Sequence, residues 1–501
     1  LLTLWCVAAL VGAEAGAADL ARGDGAQVAA ESAQAAVQRA AAALIDGDPA
    51  TTFRWEWANG GAEAVIDLGR PARVEEVRIQ QGPGDSLCRF VTSIEVSGHQ
   101  TEWRKVSDRW PLVSQPAAWT AIPLRPCVCR YVKLAFASGS REDFAEVASA
   151  EVIGKPQERL RIFALYWGDL PGLAKCADDV AALGVTDLLV SWVDGPAVCS
   201  WHQGLDAFVD SGAKAALDRA GLRYWLDEHE LCSIIRTAAD IGDDLIWDQA
   251  CTRARQCYAG AKELGFAGAS FDPEHYYGDY HAWGDTAQYG TAGLYYRRGH
   301  QLGRAMAEVW PGMQTVHIYE ARIYGNFQGV GDPNDPNIDY SQGHMWWLKG
   351  MKDAGIGITL GLEKTYGAGE GEVLDALPEA QRAKVQGAGH LFRWFGHKPD
   401  WYINLAWQAY PFVDEIIPGF NPWSVSEGDI SGVRYRPEYL REQLEYARAN
   451  ATACWMYWGG WSSNPDPAAC WRGKEPGAYL APEGVDLAAY APVLREFGGR
   501  R

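Results

Sequence analysis

The segment Phe266-Ala-Gly-Ala-Ser-Phe-Asp-Pro-Glu-His-Tyr276 sets two carboxylates, a histidine and a tyrosine directly behind a run of small and apolar residues. That run suits a strand buried on both faces, and Pro273, which cannot donate to a ladder, marks where regular pairing stops. Asp272 and Glu274 therefore stand at a strand exit. In extended backbone they point to the same side, with Cα atoms roughly 6 to 7 Å apart. Carboxylates so placed can divide acid–base work, one protonating a leaving oxygen while another attacks or activates water. The competing reading is a surface loop carrying ordinary solvated acids.

The scaffold that must hold them is large. A chain of 501 residues exceeds one ordinary core, so two domains are expected. A net charge of −19, with no basic cluster, repels phosphate backbones and argues against nucleic acid as a partner. Many of the 23 Trp and 22 Tyr lie in loop-like sequence, where flat rings suit sugar faces, although a large core needs large residues too. Residues 1–18 read as a secretory signal, an apolar segment followed by Ala-x-Ala sites, and no other run is long and apolar enough to span a bilayer. The expectation is a secreted, periplasmic or cell-surface protein. Its cysteines are compatible with disulfides. Cys127 and Cys129 are too close for an easy mutual bridge, which leaves pairing of either with Cys88 open.

Residues 19–154 break into short alternating strands separated by turns, among them Ala64–Gly69, Val74–Ile79, Ile94–Gly98, Arg130–Phe136 and Ala150–Gly154. This spacing predicts an antiparallel β-sandwich. Asp46-Gly-Asp48 with Thr51 and Trp55, Asp67-Leu-Gly69, Val96-Ser-Gly98 with Trp103, Arg130-Tyr-Val and Glu151 resemble, in order, the discoidin or coagulation factor 5/8 type C family and its relatives, the family 32 carbohydrate-binding modules. The resemblance implies a jelly roll with a structural calcium, for which Asp46, Asp48, Thr51 and Glu151 are the candidate ligands. Hard oxygen donors at a tight turn suit that ion. Trp57, His99, Trp110 and Trp119 are the candidates for facing a glycan.

After a polar linker at 155–160, residues 161–501 alternate strands with helical stretches, beginning with Arg161–Trp167, Asp187–Val193, Leu222–Asp227 and the Phe266 strand. Thr315–Tyr319, Gly357–Leu362, a poorly marked seventh strand between Trp401 and Val413, and Ala453–Trp458 complete the set. Eight units predict a (β/α)8 TIM barrel, whose active site collects at the C-terminal mouth. Acids fall there repeatedly: Asp169, Asp194, Asp227, Glu228, Glu230, Asp272, Glu274, Glu320 and Glu363. Trp167, Trp192, His275, Tyr276, Tyr319, Tyr366 and Trp458 accompany them as candidate substrate contacts.

Here the chain resembles barrel glycoside hydrolases in general. Phe266-x-Gly268 and Asp272-x-Glu274 resemble the chitinase-type family 18 signature, while Ala267, Ser270 and Pro273 replace its further aspartates and aromatic residue. The resemblance implies Glu274 as general acid, and the departures set aside that family's full mechanism, leaving Asp272 as partner or nucleophile. Glu363, beside Lys364, and Glu320, beside Arg322, compete as the second carboxylate. The expected function is a secreted glycoside hydrolase needing no catalytic cofactor, with a carbohydrate-binding domain attached. The alternatives are a non-catalytic glycan-adhesion protein and a metal-dependent hydrolase using His229, His275 and His317, whose spacing matches no zinc motif.

Overall fold

The computed structural model describes residues 18–22, 26–30, 42–46, 48, 51–56, 61–84, 87–98, 100, 103–137, 144–157, 159–168, 170–192, 201–228, 241–271, 292–318, 342–362, 403, 406–407, 409–420, 437–456 and 487–498. The chain divides into two compact units, 1–158 and 159–501.

The first unit is an antiparallel β-sandwich of β1 (Ala18–Asp19), β2 (Gln27–Ala30), β3 (Phe53–Glu56), β4 (Ala62–Gln81), β5 (Phe90–Ser97), β6 (Arg104–Ser107), β7 (Trp110–Pro111), β8 (Trp119–Ala137) and β9 (Phe144–Pro156). The segments Ala64–Gly69 and Val74–Ile79, read as separate strands from sequence, are halves of the single strand β4. Its pairing with β8 slips between Asp67 and Ala72. Asp67 fixes this corner by accepting from Gly69 N at 2.8 Å and from Arg130 Nε and Nη2 at 2.8 and 3.0 Å. Gly69 sits at φ 73°, a conformation that glycine adopts without strain. Alternate residues of the long strands turn inward onto Phe53, Trp55 and Phe136, whose rings pack with centroids 5.5 to 6.0 Å apart.

Lys155 and Pro156, expected in the linker, belong to β9 and pair with Arg73 and Ala72. Ala18, expected to leave with the signal, pairs with Gly154. The cysteine pairing left open is not made: Cys88, Cys127 and Cys129 are buried and form no disulfide with one another. The Cys88 thiol instead donates to Phe90 O at 3.3 Å.

In the second unit eight parallel strands close into a barrel: β10 (Arg161–Gly168), β11 (Asp187–Trp192), β12 (Arg223–Glu228), β13 (Ala269–Phe271), β14 (Gln314–His317), β15 (Gly357–Leu362), β16 (Glu415–Phe420) and β17 (Ala453–Met456). The register runs from Phe163↔Asp187 round to Ala164↔Met456. The seventh strand is corrected: it lies at Glu415–Phe420, beyond the expected interval, because Pro418 and Gly419 disguise it. Gly419 is needed there, since a Cβ would stand 2.4 Å from the Trp455 Nε1 atom. After β11 the apolar pattern predicts one helix over 208–220, whereas the structure has two, Trp201–Asp210 and Ala213–Ala220, divided at Gly212 with φ 80°.

Alternation splits the barrel strands into two faces. Outward side chains, including Ile162, Leu188, Ala269, Phe271, Ile358, Leu360 and Cys454, pack in one core with residues of the helices. Inward ones, Phe163, Leu165, Leu189, Trp225, Val316, Ile318, Ile417, Ala453 and Trp455, form a second.

Candidate active site

The barrel interior is built in layers. At its N-terminal end Asp187, fully buried, accepts from Arg161 Nη2 at 2.7 Å, from Thr186 Oγ1 at 2.8 Å and from Trp225 Nε1 at 2.9 Å, with Arg223 Nε at 3.5 Å. Burial pushes the Arg223 pKa down while Asp187 holds it up. At the same end Glu415 accepts from Thr452 N at 2.9 Å, and Asp414 from Ile358 N at 2.7 Å and Lys352 Nζ at 2.5 Å. Cations, an indole and backbone N–H groups thus satisfy the carboxylates at the face where barrels build stability.

Above them lies an indole layer. Trp225 fits because residue 268 is glycine: a Cβ there would meet the Trp225 ring at 2.6 Å and Gln314 O at 2.1 Å. Trp455 fits against Gly361 and Gly419 for the same reason. The two indoles fill the middle of the barrel.

One strand step beyond Trp225, on the same face, is Asp227, paired in register with Ser270 of β13. Ser270 Oγ, fully buried, donates to Asp227 Oδ1 at 2.5 Å. This half-buried carboxylate is the first polar element above the indoles. Sequence placed Asp227 at the mouth without singling it out. It missed Ser270 as a partner, although the step of two between Ser270 and Asp272 was there to be read.

Of the sequence-derived candidates, Trp167, Trp192 and Glu228 occupy the C-terminal ends of β10, β11 and β12, with Glu228 paired in register with Phe271. Asp169, Asp194, His229, Glu230, Asp272, Glu274, His275, Tyr276, Tyr319, Glu320, Glu363, Tyr366 and Trp458 lie outside the described residues. His317 is described and faces away from the barrel interior. It stacks on Phe271 at 4.9 Å, lies 6.3 Å from His344 and meets Trp347 edge-on. Thr315 Oγ1 donates to Gly357 O at 2.9 Å, so its 3.0 Å contact with His317 Nε2 places the imidazole proton on Nε2. Burial pushes the His317 pKa well down, helped by His344, and takes His344 to about 3. An outward neutral imidazole in an apolar layer is no ligand for a metal at the mouth.

In the first unit, Thr51 Oγ1 donates to Asp46 Oδ2 at 2.6 Å and lies 2.9 Å from Asp48 O, while Asp48 N donates to Asp46 Oδ1 at 2.8 Å. Three hard oxygens thus converge on one turn. Glu151 instead faces Arg78 Nη1 at 3.7 Å, and among the described residues no three His, Cys, Asp or Glu side chains are grouped to hold a metal. Of the candidate glycan-facing aromatics, Trp119 is exposed and Trp110 half-buried against the core, whereas Trp57 and His99 lie outside the described residues.

The described chain thus consists of an antiparallel sandwich followed by a closed parallel barrel with a polar pair at its C-terminal end. Residues 27–150 match the F5/8 type C domain, and the first unit is such a domain. Similar solved structures include the family 32 carbohydrate-binding module of NanJ from Clostridium perfringens in complex with galactose, at 16% identity over 28% of this chain and 98% of that one, TM-score 0.23. The C-terminal domain of a chitobiase from Bacteroides fragilis is 18% identical over 27% of this chain and 97% of its own, TM-score 0.22. An F5/8 type C domain from Bacteroides fragilis is also 18% identical, over 28% and 97%, TM-score 0.23. No curated protein matches the chain. No described helix is long and apolar enough to cross a membrane.

Proposed function

We propose that the chain is an exported glycoside hydrolase, with a (β/α)8 barrel as its catalytic part and the F5/8 type C domain as its glycan-holding part. The observation that carries this reading is the Asp227–Ser270 pair, set above a packed indole layer at the C-terminal end of a closed parallel barrel. Barrel enzymes place their chemistry at that end and their stabilising charges at the other, which is how the described charges are divided.

In this reading Glu274 protonates the glycosidic oxygen, and Asp272, Glu320 or Glu363 supplies the carboxylate that attacks the anomeric carbon or activates water. Trp167, Trp192, Tyr276, Tyr319, Tyr366 and Trp458 offer ring faces to the sugar, and Asp194, Glu228 and His275 polar contacts. Trp119 is the exposed aromatic through which the first domain would hold glycan. The turn Asp46–Thr51 would hold calcium through Asp46, Thr51 and the Asp48 carbonyl, stiffening that domain without entering the reaction. Incubating the purified chain and Glu274→Gln with a panel of polysaccharides and oligosaccharides tests the proposal. Cleavage by the native chain alone supports it; retention of glycan without cleavage replaces it with the adhesion reading.

A further inference from the structure

The two thiols of Cys127-Val-Cys129, in β8 of the first unit, have no part in the chemistry described so far. We propose that Cys127 and Cys129 form a two-coordinate site for a soft monovalent metal ion of the Cu(I) type, with Arg104 as its counter-charge. The site stands whether or not the barrel cleaves glycosides.

Strand geometry brings the sulfurs together. Residues two apart on a strand share a face, and both cysteines enter the sandwich core while Val128 between them does not. They pair in register with Val74 and Ala72, in the short stretch between two slips of the β4–β8 ladder, an irregularity of the kind that re-aims side chains. The Cys129 thiol donates a hydrogen bond to Cys127, whose sulfur also meets the Arg104 guanidinium, with Arg125 close enough to add its charge. Cys88 is engaged elsewhere, with Phe90 O and Ala137 O at 3.3 and 3.6 Å. Cys127 keeps 7% of its surface exposed and Cys129 none, so the ion enters at Cys127. Coordination chemistry then selects the ion. Cα atoms two residues apart on a strand lie roughly 6 to 7 Å from each other, at the upper edge of what a disulfide spans, whereas a bridging ion closes a wider gap. Thiolates are soft ligands that select Cu(I), while zinc takes four ligands, and among the described residues no three His, Cys, Asp or Glu side chains are grouped to hold a metal. Charge points the same way. A monovalent ion that displaces both thiol protons leaves a bis-thiolate complex with a single negative charge, which the guanidinium at Cys127 cancels. A divalent ion would leave that guanidinium without its counter-charge.

The test is titration of the reduced full chain with Cu(I) against the competing chelator bicinchoninate, alongside Cys127→Ala, Cys129→Ala, Cys88→Ala and Arg104→Gln, with the melting midpoint of each. The native chain and Cys88→Ala are expected to bind one more ion than Cys127→Ala or Cys129→Ala. Arg104→Gln is expected to keep the stoichiometry and to weaken that ion about tenfold, as loss of a group supporting a metal ligand does. Arg104 is half-buried at the start of β6, so its variant decides the matter if the thiol variants do not fold. Equal Cu(I) stoichiometry in the native chain and both thiol variants overturns the proposal, and so does unchanged affinity in Arg104→Gln. Tight binding of Zn2+ that is lost with the same two cysteines also overturns it, since that is what a site of four ligands gives.

Discussion

The buried imidazoles behind β14 predict an acid sensitivity with a definite size. His344 is fully buried on the helix Gln342–Asp353, and burial lowers its pKa from 6.5 to about 3. The folded chain therefore binds the proton less readily than the unfolded one. Its contribution to stability is fully present above pH 6.5 and is lost as pH falls from there toward 3. At pH 5, about 1.5 units below the unfolded value, the loss from His344 alone is about 2 kcal/mol, a roughly thirtyfold shift in the folding equilibrium. His317, buried beside it and pushed the same way, adds to the loss. Trp347 touches both rings, so indole fluorescence during urea unfolding at pH 7 and pH 5 reports on this part of the barrel. His344→Gln should be less stable at pH 7 but shallower in its pH dependence by about 2 kcal/mol over that interval. Identical pH slopes for native and His344→Gln would refute the reasoning.

Other consequences are equally direct. Gly268→Ala drives a methyl group into Gln314 O and the Trp225 ring, and should destabilise the second unit by at least about 1–3 kcal/mol in chemical denaturation, with the first unit unaffected. Asp187→Asn leaves Arg161 and Arg223 facing a neutral side chain. Because both arginines are partly solvated, the expected loss is about 2–3 kcal/mol, at the low end for a broken buried pair. Calcium at millimolar concentration should raise the melting temperature of the first unit, and Asp46→Ala should abolish the increase, as read by calorimetry. Trp119→Ala should weaken retention on immobilised glycan without shifting the melting temperature, since the ring is 39% exposed.

The barrel was legible where a strand is a plain apolar run. Gly357–Leu362 falls where the sequence reading put it, and Arg161–Trp167 and Asp187–Val193 are each displaced by one residue at the C-terminal end. It was illegible at Glu415–Phe420, because Pro418 and Gly419 look like a turn until Trp455, from the next strand, is known to need the space. Gly212 split a helix whose apolar pattern runs through it, since a positive φ does not disturb side-chain periodicity. The long strands of the sandwich were read in pieces because their bends resemble turns.

In the barrel's site, acids at strand ends follow from pattern alone, but their partners do not. Ser270 and Asp227 are 43 residues apart, and Arg161 and Asp187 are 26 apart. Only closure of the barrel brings either pair together. Strand position in the sequence already separates Asp187, at the start of its strand, from Asp227, at the end of its own, but says nothing of the groups that hold either carboxylate.

The central claim is that Glu274 protonates a leaving oxygen. It is tested most directly by comparing Glu274→Gln with the native chain on two substrates that share a glycone, one leaving as 4-nitrophenolate and one as a sugar alcohol. Nitrophenolate departs without a proton and the alcohol does not, so the account predicts a loss in kcat/KM at least about 100-fold greater for the sugar leaving group. Equal losses on both substrates would contradict it.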